Sequence, residues 1–263
     1  MLGKLLKYDL KWTYKVLVVF YILSLVFSII TRILFSIENS FIFDILAKIC
    51  SGITISMIAN ILINNILRLW ARFTRNIYGD ESYLTHTLPV EKKTIYNAKF
   101  LASLVSMLTS IIVIVLTLFF AYYSKENLQI VKSLLAPIAE MYDSTILNFL
   151  FVTIFIVFLE LFFTLEIGYT GIILGHRKNN KKIGFTILFG FLCYMISQIF
   201  ILAILFVIGI FNKDIMNLFI TNQVISIDIV KNIMYLAIGI YGGLVIIYYY
   251  INTHLLKKGV NVD

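Results

Sequence analysis

Residues 100–123 read FLASLVSMLTSIIVIVLTLFFAYY, a predominantly apolar run of 24 residues without Asp, Glu, Lys or Arg. A helix rises 1.5 Å per residue, so this run is about 36 Å long and exceeds the roughly 30 Å hydrocarbon core of a bilayer. Backbone groups in hydrocarbon must pair within a helix or a closed barrel, and the alternating ten-residue strands of a barrel are not seen in the sequence. The run therefore predicts a transmembrane helix.

Five further runs of comparable length occur, and the whole sequence is 60% apolar and 14% charged. A chain of this composition lacks the polar surface that a soluble domain needs, so lipid is its expected solvent. We therefore predict an all-α polytopic membrane protein whose residues 1–263 form one transmembrane domain. The six predicted spans are residues 16–35, 45–67, 100–123, 145–174, 184–211 and 230–251.

The Lys and Arg residues predict the orientation of these spans. Sixteen of the 22 fall near the two termini and in the connections after spans two and four, which six crossings place on the same side. Positive charge marks the cytoplasmic side, so both termini are expected in the cytoplasm and the protein in the cell membrane. The basic residues flank apolar runs rather than one soluble face, so the net charge of +8 does not indicate a nucleic-acid partner.

Two segments outside the spans also have helical periodicity. Residues 1–15 predict a helix that lies in the cytoplasmic membrane interface, with its lysines toward the lipid head groups. The residues that recur near helical spacing there are Leu2, Leu5, Leu6, Asp9 and Trp12. Residues 124–144 predict a short amphipathic helix on the outer membrane surface, bent near Pro137. Its apolar stripe is Leu128, Val131, Leu134, Leu135, Ile138 and Tyr142.

The connection between spans two and three contains the signals of a short helix. Asp80 fits an N-cap, and Glu81 suits the positive end of the helix that follows. This helix is expected to end before Pro89, because proline disfavours helical geometry in the preceding residue. Its apolar patch is Tyr83, Leu84 and Leu88. On these residues alone, an ordinary solvated loop and a compact knuckle that docks a partner both remain open.

Residues 78–90, which we call the knuckle, read YGDESYLTHTLPV. This stretch resembles the GDE-x-YLT-x-TLPV signature of ABC-2-type permeases in low-GC Gram-positive bacteria, a family that includes exporters of amphipathic or antimicrobial peptides. The resemblance implies a type V exporter-like bundle in a bacterial plasma membrane. It also implies that the knuckle is a coupling helix that sits in a cleft of an ATP-binding subunit. The residues expected to contact that subunit are Asp80, Glu81, Tyr83, Leu84, His86, Thr87 and Leu88.

The family resemblance also implies an assembly of two permease chains, identical or paralogous, with two copies of an ABC ATPase subunit, in contact with membrane lipid. The sequence itself contains no G-x-x-x-x-G-K-[ST] loop. The chain is therefore expected not to be an enzyme and to hold no cofactor, and ATP and Mg are expected in the partner. The three histidines are scattered without a second ligand at metal-binding spacing, so no metal site is predicted.

Polar and small residues inside the spans are the other candidates for function. Glu160 and Glu166 in span four are candidates for a translocation path, because ionisable residues in a bilayer usually face a bundle interior or an aqueous path. Hydrogen-bonded carboxyl groups that join helices are the alternative. The pairs Gly171 with Gly175 and Gly239 with Gly243 predict close helix packing, within the chain or between permeases. The polar residues expected to bond across helices at the end of span two are Asn60, Asn64 and Asn65.

Together with these features, the resemblance to ABC-2-type permeases implies the transmembrane subunit of an ATP-binding cassette exporter. An amphipathic peptide or a lipid-like molecule is the expected cargo, because the spans are apolar, rich in aromatic residues and poor in charge. Two other classes remain as alternatives. One is a proton-coupled secondary transporter that uses Glu160, and the other is a membrane scaffold or sensor that does not transport.

Overall fold

The computed structural model describes residues 1–37, 40–141, 145–212, 215–216 and 227–258. Within these ranges the chain is helical and contains no strand. The helices are α1 (Leu2–Phe35), α2 (Phe41–Ile77), α3 (Ser82–Thr87), α4 (Lys92–Tyr122), α5 (Lys125–Met141), α6 (Ile146–Gly175), α7 (Lys182–Phe211) and α8 (Ile227–Lys257). All except α3 and α5 are long and apolar enough to cross a membrane. The described residues thus confirm the prediction of an all-α chain with six helices that are long and apolar enough to span a membrane.

Two of the helices extend well past the apolar runs that predicted them. α2 continues to Ile77, ten residues beyond the predicted end of span two at Leu67. α4 begins at Lys92 rather than at Phe100. An apolar run marks only the length that hydrocarbon requires, and Arg and Lys are good helix formers that let the helix continue in water. The knuckle is therefore carried beyond the apolar parts of α2 and α4.

The separate interfacial helix predicted for residues 1–15 is wrong, because α1 runs without a break from Leu2 to Phe35. Its buried side chains recur every three or four residues from Asp9 to Thr31, so residues 9–15 use the same packing face as the span. This buried row is Asp9, Thr13, Leu17, Tyr21, Ser24, Ser28 and Thr31.

The two short helices follow the sequence signals with small differences. Leu88 is extended, with ψ of 135°, so α3 ends before Pro89 as predicted. The N-cap of α3 is Glu81, so the prediction of Asp80 at this position is wrong by one residue. α5 is present between the third and fourth spans and contains Pro137. Tyr142, the last residue of its predicted stripe, lies outside the described residues.

The chain forms two compact units, Met1–Val131 and the part that begins at Lys132. In the first unit α1 packs along both α2 and α4, which also contact each other, and α3 lies against the end of α2. In the second unit α6 packs against both α7 and α8.

Hydrogen bonds between side chains join the helices of the first unit. Asn65 of α2 donates to the Ser110 hydroxyl at 2.7 Å and accepts from the Ser106 hydroxyl of α4 at 2.7 Å. The Tyr21 hydroxyl of α1 lies 2.7 Å from the same Ser110 oxygen. Apolar burial gives no net attraction between helices in lipid, so such polar contacts and close packing hold a bundle together. Of the three asparagines expected to bond across helices, Asn65 does so.

Close packing around glycine is the main feature of the second unit. A Cβ at Gly171 would lie 2.8 Å from the Thr186 carbonyl oxygen of α7, and one at Gly175 would lie 2.6 Å from the Thr186 Cα. Only glycine permits this approach of α6 to α7. At Gly239 and Gly243 of α8, a Cβ would meet nothing within 4 Å among the described residues.

Candidate functional site

The knuckle turns the chain from the end of α2 into α3 and then into α4. Gly79 lies at its first corner, where a Cβ would make a tight contact of 3.1 Å with the Arg75 Cα and carbonyl oxygen. The Ser82 N–H donates to the Gly79 carbonyl at 2.8 Å and closes the turn before α3. α3 is thereby held against the last turns of α2.

The accessible side of α3 is rich in apolar side chains. Tyr83 is 75% exposed and Leu84 is 67% exposed, and Leu88 at the end of the helix is 39% exposed. Asp80 and Thr87 are exposed as well. Large apolar side chains exposed next to one another are typical of a surface that docks a partner. Five of the seven residues predicted to contact an ATPase are therefore accessible.

The other two predicted contact residues, Glu81 and His86, face the end of α2 in this structure. Arg72 Nη1 donates to Glu81 Oε2 at 2.6 Å, and Asn76 Nδ2 lies 3.3 Å from the same oxygen. His86 Nε2 lies 3.1 Å from the Ile77 carbonyl oxygen. These two side chains fasten α3 to α2, while their neighbours remain free to meet another protein.

Glu81 is held in its charged form. Partial burial by itself would raise the pKa of the Glu81 carboxyl. The Arg72 charge and hydrogen bond, helped by Asn76 and Arg75, outweigh that burial and hold the pKa of Glu81 below its ordinary value. The fastening between α3 and α2 is therefore ionic at neutral pH.

Behind α3, three helices converge on one carboxylate oxygen. Arg72 Nε of α2 donates to Asp9 Oδ1 of α1 at 2.8 Å. Lys99 Nζ of α4 donates to the same oxygen at 2.7 Å. Asp9 is 4% exposed and Lys99 is 3% exposed, so this contact is closed to solvent. We call the connected series Glu81, Arg72, Asp9 and Lys99 the ion-pair chain.

The ion-pair chain constrains geometry because its members are buried charges. Removing one partner of a buried pair typically costs about 3–5 kcal/mol, since the remaining charge is left without compensation. Arg72 bonds both Asp9 and Glu81, so it joins the knuckle to the point where α1, α2 and α4 meet. The knuckle is therefore connected by ion pairs to residues of all three helices.

A second tie between α1 and α2 lies one turn away. The Arg68 guanidinium carbon is 4.1 Å from the centre of the Trp12 ring, and Arg68 Nη2 donates to the Trp12 carbonyl at 2.9 Å. The Arg72 guanidinium carbon lies 5.6 Å from the centre of the same ring. A cation–π contact of this kind contributes about 0.5–2 kcal/mol, and the higher value applies where the pair is shielded from water.

Sequence reasoning missed the ion-pair chain. By position in the sequence, Arg72 and Lys99 belong to the basic residues that indicate membrane orientation, and Asp9 belongs to the predicted interfacial helix. One signal was available, because Asp9 is the single acidic residue in residues 1–15 and lies four positions before the buried Thr13. The partners of Asp9 could not be predicted from local sequence, because they lie 63 and 90 positions away in the chain.

The structure places Glu166 and Glu160 in different surroundings within the second unit. Glu166 is fully buried, and Asn252 Nδ2 of α8 donates to its Oε2 at 3.1 Å. Asn252 also accepts from the Thr170 hydroxyl at 2.7 Å. Glu160 is exposed, and no ion pair among the described residues involves it. Glu166 is thus part of a polar contact between α6 and α8, and the two carboxyl groups do not share a site.

Among the described residues, no group of three or more His, Cys, Asp or Glu side chains is arranged to hold a metal ion. Comparison with protein-family models, curated proteins and solved structures finds no match to this chain. The geometry of the knuckle and of the ion-pair chain is therefore the basis on which function is inferred.

Proposed function

We propose that this chain is the transmembrane subunit of an ATP-binding cassette exporter, and that the knuckle receives a separate ATPase subunit. The observation that carries the proposal is the two-sided character of α3. Tyr83 and Leu84 are exposed, while Glu81 at the N-cap of α3 forms an ion pair with the buried Arg72 of α2. A docking surface with a rigid connection to membrane helices is what a mechanical coupling requires.

The proposed mechanism is a displacement of helices rather than chemistry in this chain. When two ATPases close on ATP, each pushes one knuckle. The movement passes from Glu81 to Arg72 and from Arg72 to Asp9 and Lys99, so the ends of α1, α2 and α4 shift together. Packed helices change between discrete arrangements rather than deforming continuously. Such a shift can therefore change the side of the membrane to which a transport path is open.

The assembly and the location follow from the same proposal. Two permease chains, identical or paralogous, pair with two ATPase chains in a bacterial plasma membrane. The knuckle and both termini lie in the cytoplasm, because most Lys and Arg residues are on that side. An amphipathic peptide or lipid-like cargo suits spans that are rich in apolar and aromatic side chains.

The test is purification of the tagged chain from its native membrane, followed by an ATPase assay of the eluate. We expect a P-loop subunit in stoichiometric amount with vanadate-sensitive hydrolysis. The double variant Leu84→Asp and Leu88→Asp should lose that subunit, because two charges would be placed in an apolar contact. Tyr8→Asp is the matched control, since Tyr8 is 63% exposed but lies on α1 outside the knuckle.

The outcomes separate the candidate functions. Loss of the ATPase in the double variant alone supports the proposal, provided that the variant still inserts in the membrane. Retention of the ATPase by the double variant contradicts the docking role of α3. An eluate that holds only this chain contradicts the exporter assignment and favours a proton-coupled transporter that uses Glu160, or a scaffold that does not transport.

A further inference from the structure

A cavity of about 570 Å³ lies at the end of the first unit that is remote from the knuckle. It is formed where α1 and α4 end and α5 begins. The residues that line it from these three places include Arg32, Phe35, Tyr122, Tyr123, Glu126 and Asn127. Sites for small ligands usually have volumes of about 300–1,000 Å³, so this cavity has room for such a ligand. We call it the interface cavity.

The interface cavity lies at the depth of the lipid head groups. Phe35 and Tyr123 end the apolar runs 16–35 and 100–123, so they mark the boundary between hydrocarbon and water. Tyrosine is enriched at this level of membrane proteins. Exposed apolar side chains lie about one turn deeper on both helices, Ile29 on α1 and Phe119 on α4. A phospholipid can therefore place its head group in the cavity and its acyl chains along α1 and α4.

Arg32 brings a positive charge to the interface cavity. It is the single charged residue of the apolar run 16–35, and a charge in such a run is costly unless it has a partner. The guanidinium carbon lies 6.0 Å from the centre of the Tyr123 ring. Within the described part of the chain, no ion pair involves Arg32. Its guanidinium is thus open to an anion from outside the chain, and the planar group matches the geometry of a phosphate.

Glu126 brings a negative charge to the same cavity. It is exposed, and it is paired neither with Arg32 nor with another cation of the described residues. The neighbouring Asn127 ties this wall to the end of α4. Its backbone N–H donates to Ser124 Oγ at 3.0 Å, and its Nδ2 donates to the Tyr122 carbonyl oxygen at 2.9 Å. The two opposite charges therefore line one cavity from different helices without neutralising each other.

We propose that the interface cavity binds the head group of a phospholipid that carries both a phosphate and a primary ammonium group, with the phosphate at Arg32 and the ammonium at Glu126. Two opposite charges held apart in one cavity match a ligand whose own opposite charges are joined by a short linker. Phosphatidylethanolamine has this arrangement. Phosphatidylglycerol lacks the ammonium, and the quaternary ammonium of phosphatidylcholine has no N–H to donate to a carboxylate. In the proposed orientation, the lipid belongs to the outer leaflet.

The test is native mass spectrometry of the full chain in detergent, titrated with one phospholipid at a time. The probes are phosphatidylethanolamine, phosphatidylglycerol and phosphatidylcholine with identical acyl chains. We expect the native chain to bind phosphatidylethanolamine at least about tenfold more tightly than either of the others, because a hydrogen bond between charged groups contributes that factor or more. The measurement does not require the ATPase, so failure of either proposal leaves the other unaffected.

Two substitutions have different expected patterns. Arg32→Gln should weaken the binding of all three lipids, because all three contain the phosphate. Glu126→Gln should weaken the binding of phosphatidylethanolamine alone, so that its preference over phosphatidylglycerol is lost. Lys125→Gln and Glu140→Gln are the matched controls, since both side chains are exposed on α5 and neither lines the cavity. The two control variants should bind each lipid as the native chain does.

The preference is a ratio of two affinities measured on one variant, so a general loss of stability does not imitate its loss. Equal affinities of the native chain for the three lipids would overturn the proposal. A preference that Glu126→Gln leaves unchanged would overturn it as well. Soluble glycerophosphoethanolamine is the last arm of the test. Its displacement of an equal concentration of phosphatidylethanolamine would show that the cavity takes a free zwitterion, which contradicts the assignment to a lipid.

Discussion

Lys99 Nζ donates to Asp9 Oδ1 at 2.7 Å, although the two residues are 90 positions apart in the chain. The same oxygen accepts from Arg72 at 2.8 Å, so one carboxylate joins α1, α2 and α4. Arg72 also bonds Glu81 of the knuckle. The exposed α3 therefore connects to the spans through buried charges rather than through a flexible loop, and this relationship underlies the first two predictions.

Asp9→Asn should strongly destabilise the chain, because it leaves Arg72 and Lys99 buried without their shared negative charge. The expected loss is about 3–5 kcal/mol of unfolding free energy, measured by denaturant titration of the purified protein in detergent. Asp44→Asn is the matched control, since Asp44 forms an exposed pair with Lys48. Its expected effect is within about 1 kcal/mol. Equal effects of the two substitutions would contradict a structural role for the ion-pair chain.

The attachment of α3 to α2 should weaken in acid. The pKa of Glu81 is held below its ordinary value, so the carboxylate contributes stability that is fully present above the unfolded pKa of about 4.3. That contribution is lost as the pH falls through the lower, folded pKa. Hydrogen–deuterium exchange of residues 79–88, corrected for the intrinsic pH dependence of exchange, should therefore rise below about pH 4.

Glu81→Gln is the control for this pH dependence. It removes the titrating group, so exchange in the knuckle should be faster at neutral pH and should no longer change through the acid range. A variant that keeps the pH response of the native chain would show that another group is responsible.

Gly171→Ala should destabilise the second unit, because its Cβ would lie 2.8 Å from the backbone oxygen of Thr186. Overpacking of this kind typically costs about 1–3 kcal/mol, which a shift of the melting temperature would report. Gly239→Ala should leave that temperature unchanged or slightly higher, since its Cβ meets open space. If Gly239 instead lies in a contact between permease chains, its substitution should alter the association of chains without a change in the unfolding of the unit.

Substitutions at Glu160 and Asn252 should have separate effects, the first on transport and the second on stability. Glu160→Gln should reduce transport more than assembly, and its unfolding free energy should stay within about 0.5 kcal/mol of the native value because Glu160 is exposed. Asn252→Ala removes a donor from the buried Glu166 and should cost about 1–3 kcal/mol. Transport in membrane vesicles and unfolding in detergent give the two readings. Normal transport by Glu160→Gln would contradict a role of this carboxyl in transport.

The membrane-spanning helices could be predicted from the sequence because the hydrocarbon core imposes a length and a composition on each segment. The end of α3 could also be predicted, since Pro89 acts on the residue directly before it. Both are local effects. The interfacial helix predicted for residues 1–15 failed because the same lysine-rich pattern fits a helix on a membrane surface and the first turns of a long helix.

The sequence by itself determined that this is a chain of six apolar helices with a short helical segment between the second and third. Lipid acts on each helix separately, so no distant contact is needed for that result. Only the tertiary structure decided that Glu81 faces α2 while Leu84 faces outward, and that Asp9 lies between Arg72 and Lys99. An ion pair depends on distances in space between residues that are far apart in the chain. Local sequence patterns contain no information on those distances, because they are set only when α1, α2 and α4 pack together.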